Sequence, residues 1–255
     1  MLRRNAPSII TVISLIAVWQ AACSTGLIEP YMLPSPIAVI RAFTSDLPLL
    51  CSHALITLQE ALIGLLIGVV VGLTTAILMD SFKALHKVLN PLLIITQTIP
   101  SVAIAPLLVL WLGYEMSPKI VLIIITTFFP MTVGLLSGFR SADKDAINLL
   151  RSMGASRWQI FRHIKLPSAL PQFFSGLRIA TTYSVVGAVI SEWLGGFGGL
   201  GVYMTRVKKA FAFDKMFAVI LLISAISLAL MALVSLAERK CMPYRYDNRI
   251  FRRKI

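Results

Sequence analysis

Long runs of apolar residues, separated by short polar segments, are the feature that most restricts the fold of this chain. A helix needs about 20 mainly apolar residues to cross a lipid bilayer. Charged residues make up only 14% of the chain, against about 25% in soluble domains. The sequence therefore predicts an all-α, polytopic membrane protein, a single transmembrane domain over residues 1–255 with about six transmembrane helices. The predicted spans are roughly Ser8–Cys23, Ile56–Met79, Leu89–Leu112, Lys119–Phe139, Leu170–Leu194 and Phe213–Ala237.

Lys and Arg are unevenly distributed among the segments between these spans. If the N-terminus is cytoplasmic, most of them lie on the cytoplasmic side, including Arg140–Lys165 and the tail 239–255. Because cytoplasmic loops of membrane proteins carry the excess of basic residues, both termini are predicted to be cytoplasmic. The smaller basic cluster Arg206–Lys215 would then lie outside. The net charge of +13 thus comes mainly from Lys and Arg residues that set the membrane orientation. The tail is expected to bind anionic membrane lipids and no nucleic acid.

The polar segment 143–167 has the pattern of two short amphipathic helices. Its first helix carries an apolar stripe at positions i, i+3, i+4 and i+7 and ends at Gly154. Ser156 and Gln159 have the spacing of a capping box, which predicts the start of a second helix. The stripe consists of Ala146, Leu149, Leu150 and Met153, and the second helix carries Trp158, Phe161 and Ile164 before Pro167. Two such helices, together with their Arg and Lys residues, need a partner surface.

Four small residues recur at four-residue spacing in the second span. They are Gly64, Gly68, Gly72 and Ala76. Such a ridge lets the backbone of another helix approach closely, so we expect a helix-packing face here.

Prolines and polar side chains inside the spans indicate candidate positions on a transport pathway. Proline removes a backbone hydrogen bond, and broken helices in membranes often line cavities. For Gln97, Thr98 and Ser101, which surround the break at Pro100, an equally good interpretation is that they only satisfy the freed carbonyls. The candidates are Gln97, Thr98, Pro100, Ser101, Thr181, Thr182, Tyr183, Ser184 and Glu192.

Several kinds of chemistry are not indicated by the sequence. Gly196–Gly201 has the glycine spacing of a dinucleotide-binding fingerprint, but that motif works between a strand and a helix, whereas this one follows a span. We expect a flexible turn with close backbone packing instead. Neither a phosphate-binding loop, nor a metal-ligand spacing, nor a catalytic nucleophile with an adjacent base is evident. The chain is therefore expected to carry no catalytic residue, metal or cofactor, and not to hydrolyse ATP.

The polar segment resembles the cytoplasmic "EAA" loop of binding-protein-dependent ABC importer permeases. In that loop a glycine is followed after nine residues by Ile-x-Leu-Pro, as Gly154 is by Ile164, Leu166 and Pro167. The first half differs, since Asn148, Leu149 and Leu150 stand where the family has Glu-Ala-Ala.

Further segments resemble the nitrate/sulfonate/taurine group of these permeases, which includes transporters of pyrimidine precursors of thiamine. Glu60 is a departure, because such permeases often carry Arg at that position. The matching segments are Leu33–Pro36, Pro106–Gly113, Gly154–Gln159, Gly176–Arg178, and Glu192 followed by Gly199–Gly201.

This resemblance implies a function and a set of partners. Two permease subunits, identical or paired, would form the pathway in a bacterial plasma (inner) membrane. Two separate cytoplasmic subunits would bind ATP and Mg, and an extracytoplasmic solute-binding protein would deliver a small polar solute. The residues implied to couple to the ATPase are Asn148, Leu149, Leu150, Arg151, Met153, Gly154, Arg157, Trp158, Ile164, Leu166 and Pro167.

Two other classes of protein compete with this interpretation. A membrane scaffold or receptor could anchor a cytoplasmic complex through the same loop, although the prolines in the spans favour a moving pathway. An integral membrane enzyme would need a polar cluster of catalytic type, and none is evident in the spans.

Overall fold

A computed structural model describes residues 2–26, 28–29 and 32–243, and the described residues form helices and turns without a strand. The predicted basic tail 239–255 lies outside this range beyond residue 243. The helices are α1 (Leu2–Ser24), α2 (Pro36–Ser45), α3 (Leu47–Ser81), α4 (Lys83–Thr98), α5 (Ser101–Leu112), α6 (Met116–Arg140), α7 (Lys144–Ser152), α8 (Arg157–Ile160), α9 (Leu166–Leu194), α10 (Leu200–Lys209) and α11 (Phe213–Cys241). One π-helical turn, Phe161–Lys165, joins α8 to α9.

Among the described residues, four helical segments are long and apolar enough to cross a membrane: α3, α6, Arg157–Leu194 and α11. The predicted span Leu89–Leu112 is not one straight helix. It belongs to α4 and α5, which are bent by 96° at a short break before Pro100, whose ring leaves no N–H to continue the helix. The remaining predicted span lies in α1, whose apolar part Ile10–Ser24 is shorter than a full crossing.

Close glycine contacts hold α3 and α6 side by side. A Cβ atom built on Gly64 would lie 2.5 Å from Ile123 Cγ2, and one on Gly68 would lie 2.0 Å from Thr127 Oγ1. Both residue numbers increase together along this contact, so the two helices are parallel. Parallel neighbours begin at the same end of the bundle, and therefore α4 and α5 must carry the chain back across. The bent pair is thus a broken crossing rather than a re-entrant loop.

The helix α9 packs antiparallel against α6 and also contacts α3. Gly138 meets Ala169, whose Cα would lie 2.7 Å from an added Cβ, and Gly176 meets the carbonyl of Pro130 at 2.8 Å. Together α3, α6 and α9 form a three-helix core, which we call the α3–α6–α9 core. We call the end where α3 begins the Glu192 end, and the opposite end, where the segment 143–167 lies, the Gly154 end.

Candidate functional site

The segment 143–167 folds as the two short helices that its sequence predicts. Asp143 caps α7 by accepting a hydrogen bond from Asp145 N at 2.8 Å. Gly154 ends this helix with φ +82°, a left-handed conformation that favours glycine. The capping box is confirmed, since Ser156 N donates to Gln159 Oε1 at 2.7 Å and Gln159 N donates back to Ser156 Oγ at 3.3 Å.

Apolar side chains of this segment face away from the rest of the chain. Leu149 is 63% exposed, Met153 73% and Trp158 64%. Every residue of α7 is described, and none of them is buried. A soluble surface would not keep such a row of large apolar groups without a partner. The segment therefore presents a row of large apolar side chains that no other described residue covers.

The other residues implied to couple to an ATPase surround this surface. Leu150 and Ile164 are half-buried and support it from the side of the bundle. The ring of Trp158 stacks on Phe161, with centroids 5.7 Å apart, and Phe161 packs on Phe139 of α6 at 5.4 Å. The exposed members are Asn148, Arg151, Gly154, Arg157, Leu166 and Pro167.

A cleft of about 240 Å³ lies at the break between α4 and α5. Four of the candidate pathway residues line it, namely Gln97, Pro100, Ser101 and Tyr183, whereas Thr98 is not in its lining. None of the lining residues, all of them described, is charged. The complete lining is Thr96, Gln97, Ile99, Pro100, Ser101, Ile104, Ile125, Thr126 and Tyr183.

The hydroxyl groups along α9 bond to their own helix. Thr181 donates to the carbonyl of Leu177 at 2.7 Å, Thr182 to that of Arg178 at 3.3 Å, and Ser184 to that of Thr181 at 2.9 Å. These three hydroxyl groups are therefore satisfied within α9. A pathway role for these three residues stays a prediction.

The structure places Glu192 apart from the cleft, at the far end of α9. Its side chain is 1% exposed. Thr57 donates to its Oε1 at 2.7 Å, and Gly201 N donates to its Oε2 at 2.5 Å. The carboxylate therefore holds the first turn of α10, where free N–H groups and the helix dipole favour negative charge. Its role on a pathway stays a prediction.

The same turn is held by two residues of α3 that the sequence analysis did not single out. His53 Nδ1 accepts from Gly199 N at 3.0 Å, and Thr57 Oγ1 accepts from Leu200 N at 2.8 Å. Three consecutive N–H groups are thus paired. The close packing expected for Gly196–Gly201 is found, while these hydrogen bonds fix a turn that the sequence presents as flexible.

Glu60, the departure from the resemblance, has a cation partner within this chain. Lys119 Nζ of α6 donates to Glu60 Oε1 at 2.6 Å, and the two side chains are 5% and 2% exposed. The sequence does contain a signal for this cluster. Gly64 and Gly68 lie on one face of α3. His53, Thr57 and Glu60 extend the same face toward the N-terminus of the helix, so a single stripe of α3 carries both the packing glycines and these polar residues.

Comparisons with known proteins agree with this architecture. The family described as "Binding-protein-dependent transport system inner membrane component" matches residues 64–242. A probable ABC transporter permease of Haemophilus influenzae is 39% identical over 85% of this chain and 88% of its own length. The formylaminopyrimidine transport permease ThiX of Halalkalibacterium halodurans is 36% identical over 91% of this chain and 92% of its own. A putative aliphatic sulfonates transport permease, SsuC of Bacillus subtilis, is 30% identical over 91% and 84%.

The fold also matches solved transporters. A MetNI methionine ABC transporter in an inward-facing conformation superposes with a TM-score of 0.66 at 20% identity, covering 78% of this chain and 97% of the transporter chain. At this identity the likeness concerns the fold alone. The family match and the identities of the relatives extend over most of the sequence. The chain belongs to the inner-membrane components of binding-protein-dependent transport systems, the permease subunits of ABC importers.

Proposed function

We propose that this permease passes a small polar solute across the membrane when a separate ATPase subunit, docked on α7 and α8, hydrolyses ATP. The observation that carries the proposal is the row of exposed apolar side chains at the Gly154 end. Leu149, Met153 and Trp158 have no covering partner among the described residues. In this function they insert into a groove of the ATPase.

The chemistry of the surface suits such a partner. Buried aromatic and aliphatic anchors carry most of the affinity of an interface, while charges at its rim mainly give orientation. Trp158 is braced by Phe161 and is thus a rigid anchor. Arg151 and Arg157 are exposed beside it and form the rim. The departure at Asn148 removes an acidic contact, whereas the apolar stripe is retained.

The orientation and the remaining partners follow from the distribution of charge. The Gly154 end, with its excess of Lys and Arg, faces the cytoplasm, and both termini are cytoplasmic. On the opposite side the basic cluster Arg206, Lys208, Lys209 and Lys215 contacts a solute-binding protein. Two permease subunits, identical or paired, enclose the pathway, and the tail 239–255 binds membrane lipids.

The lining of the cleft favours a neutral polar solute with a ring. Gln97, Ser101 and Thr126 offer amide and hydroxyl groups, and Tyr183 adds an aromatic face. A cleft without a charged side chain suits a thiamine-precursor pyrimidine better than an anion, whose desolvation needs a compensating charge. A sulfonate, taurine or nitrate is the second candidate, carried by the resemblance of the loop motifs and by the sulfonate relative.

Docking is tested by placing charges on the apolar stripe. Leu149→Asp together with Met153→Asp should release the ATPase in a detergent pull-down, because two carboxylates would enter an apolar groove. A matched control, Lys144→Gln with Ser152→Asp, makes the same change of two units in net charge on the polar face of α7 and should retain the ATPase. Retention by the first variant would contradict the proposed surface.

The solute is tested through the protein that delivers it. Titration calorimetry of the cognate solute-binding protein with a formylaminopyrimidine, taurine and nitrate should give a heat signal with the pyrimidine. Uptake of that ligand into proteoliposomes containing the whole complex should then require ATP. Binding of taurine or nitrate alone would favour the second candidate.

A further inference from the structure

An ion pair joins the segment 143–167 to the end of α3. Lys165 Nζ donates to Asp80 Oδ2 at 2.7 Å and to Asp80 Oδ1 at 3.0 Å. Asp80 lies one residue before the end of α3, and Lys165 is the last residue of the π-helical turn. The pair therefore connects the end of one long helix to the entrance of another.

The position of Lys165 makes this pair a second connection out of the segment 143–167. The first is covalent, because α8 continues through the π-helical turn into α9 as one helical segment, Arg157–Leu194. A displacement of α8 must therefore act on α9. Through Lys165 and Asp80 the same displacement also acts on α3, which is not adjacent in sequence.

The helix α4 is held differently from the α3–α6–α9 core. It follows α3 after a single extended residue, Phe82. Near its start Arg140 Nη2 of α6 lies 2.5 Å from His86 Nε2. All of α4 is described, and Leu93 is its one buried residue. Its far end reaches the break at Pro100. Leu93 packs in the same buried cluster as Met131 and Ala169 of the core, whereas the residues from Ile94 to Thr98 are exposed. The part of α4 beyond Leu93 is therefore the part that can move relative to the α3–α6–α9 core.

The cleft lies across this boundary. Gln97 belongs to α4, whereas Thr126 and Tyr183 belong to α6 and α9 of the core. Any rotation of the core as a unit against α4 changes the separation of these walls. Hinge motions of this kind use a few element-terminal residues and otherwise rigid packing.

We propose that the ion pair of Asp80 and Lys165 makes α3 move together with α9 when the ATPase displaces α7 and α8, so that the whole core moves against α4 at the cleft. This inference rests on the proposed docking of an ATPase. Asp80 and Lys165 are positioning residues that transmit the displacement and do not touch the solute. The two side chains are 17% and 26% exposed, and partly exposed ion pairs contribute little to stability. Their loss should therefore affect transport more than folding.

The test uses charge reversal in the reconstituted complex of permease, ATPase and solute-binding protein. Asp80→Lys and Lys165→Asp should each lower the solute transported per ATP hydrolysed by about tenfold, while the ATPase stays bound. The double variant restores an ion pair of reversed polarity and should recover transport to within about threefold of the original protein. Rescue of this kind would not follow from a merely structural disturbance.

A control and a milder variant make the outcome decisive. Lys83→Asp reverses an exposed charge three residues from Asp80 and should leave the transport ratio unchanged. If a reversal variant does not assemble, Lys165→Gln removes the ion pair without adding charge and should still lower the ratio. Single variants that transport as well as the original protein, or a double variant no better than the singles, would overturn the inference. Loss of ATPase binding by the unaltered permease would instead contradict the proposed function and the inference with it.

Discussion

The two ends of the bundle contain two glycine turns that resemble each other locally and differ in what surrounds them. Gly154 has φ +82° and Gly199 has φ +114°. A Cβ atom added to Gly199 would lie 2.2 Å from Glu192 Cδ, whereas one added to Gly154 would meet no described atom within 4 Å. The Gly199 turn is packed into its own chain, whereas the Gly154 turn projects from it.

This difference separates a turn that completes the fold from one that we propose to serve a partner. At the Glu192 end, three backbone N–H groups are bonded to side chains of α3 and α9. At the Gly154 end the turn is closed by its own residues, since Ala155 N donates to the carbonyl of Leu150 at 3.0 Å. Self-sufficient hydrogen bonding leaves the apolar side chains free for another molecule.

The largest difference should appear when each glycine is replaced by alanine. Gly199→Ala should destabilise the protein by about 3 kcal/mol or more, because strain at positive φ adds to overpacking against Glu192. Gly154→Ala should cost only about 1 kcal/mol from backbone strain. Thermal unfolding of the purified full chain in detergent measures both. Equal losses of stability would remove the distinction between the two turns.

A smaller effect is expected at the hydroxyl that bridges α3, α9 and α10. Thr57→Val leaves the N–H of Leu200 and one oxygen of Glu192 without a partner, which should cost about 1 to 3 kcal/mol. Thr74→Val serves as a control within the same helix, because the exposed Thr74 bonds only to carbonyls of its own helix, and it should stay within about 0.5 kcal/mol. The same unfolding measurement applies, and a Thr57 variant as stable as the control would show that the turn is not held by this bridge.

The smallest effect concerns pH. Asp46, just before α3, accepts from Lys215 Nζ at 2.8 Å and from Tyr203 Oη at 2.5 Å. The hydrogen bond from Lys215, followed by that from Tyr203, lowers the pKa of Asp46 below its usual 3.8. A lowered pKa in the folded state means that this stabilisation is present above about pH 3.8 and is lost as the pH falls through the lower value.

Melting temperatures measured between pH 6 and pH 3 test this contribution. The original chain should melt above Asp46→Asn near pH 6, and the difference should shrink toward pH 3. A difference that is constant over this range would contradict the role assigned to the carboxylate. The Gly154 turn contains no ion pair of this kind among its described residues, so Gly154→Ala should not alter the pH dependence.

Local features of this chain were readable from the sequence because they depend on neighbouring residues. The capping box of Ser156 and Gln159, the stop at Gly154 and the apolar runs follow from contacts over one or two helical turns. The break before Pro100 follows equally from the missing N–H of proline. The angle of 96° at that break could not be predicted from the sequence, because it depends on how α5 packs against α6 and α9.

By itself, the sequence determined the class of the protein, the approximate spans and the two short amphipathic helices of the segment 143–167. Only the tertiary structure decided which distant groups meet: Glu60 with Lys119, Thr57 with Glu192, and Asp80 with Lys165. The physical reason is that a buried charge or N–H must find a partner somewhere, but propensity and periodicity do not say where. That choice follows from the register in which α3, α6 and α9 pack, which is set by the glycine contacts along their length.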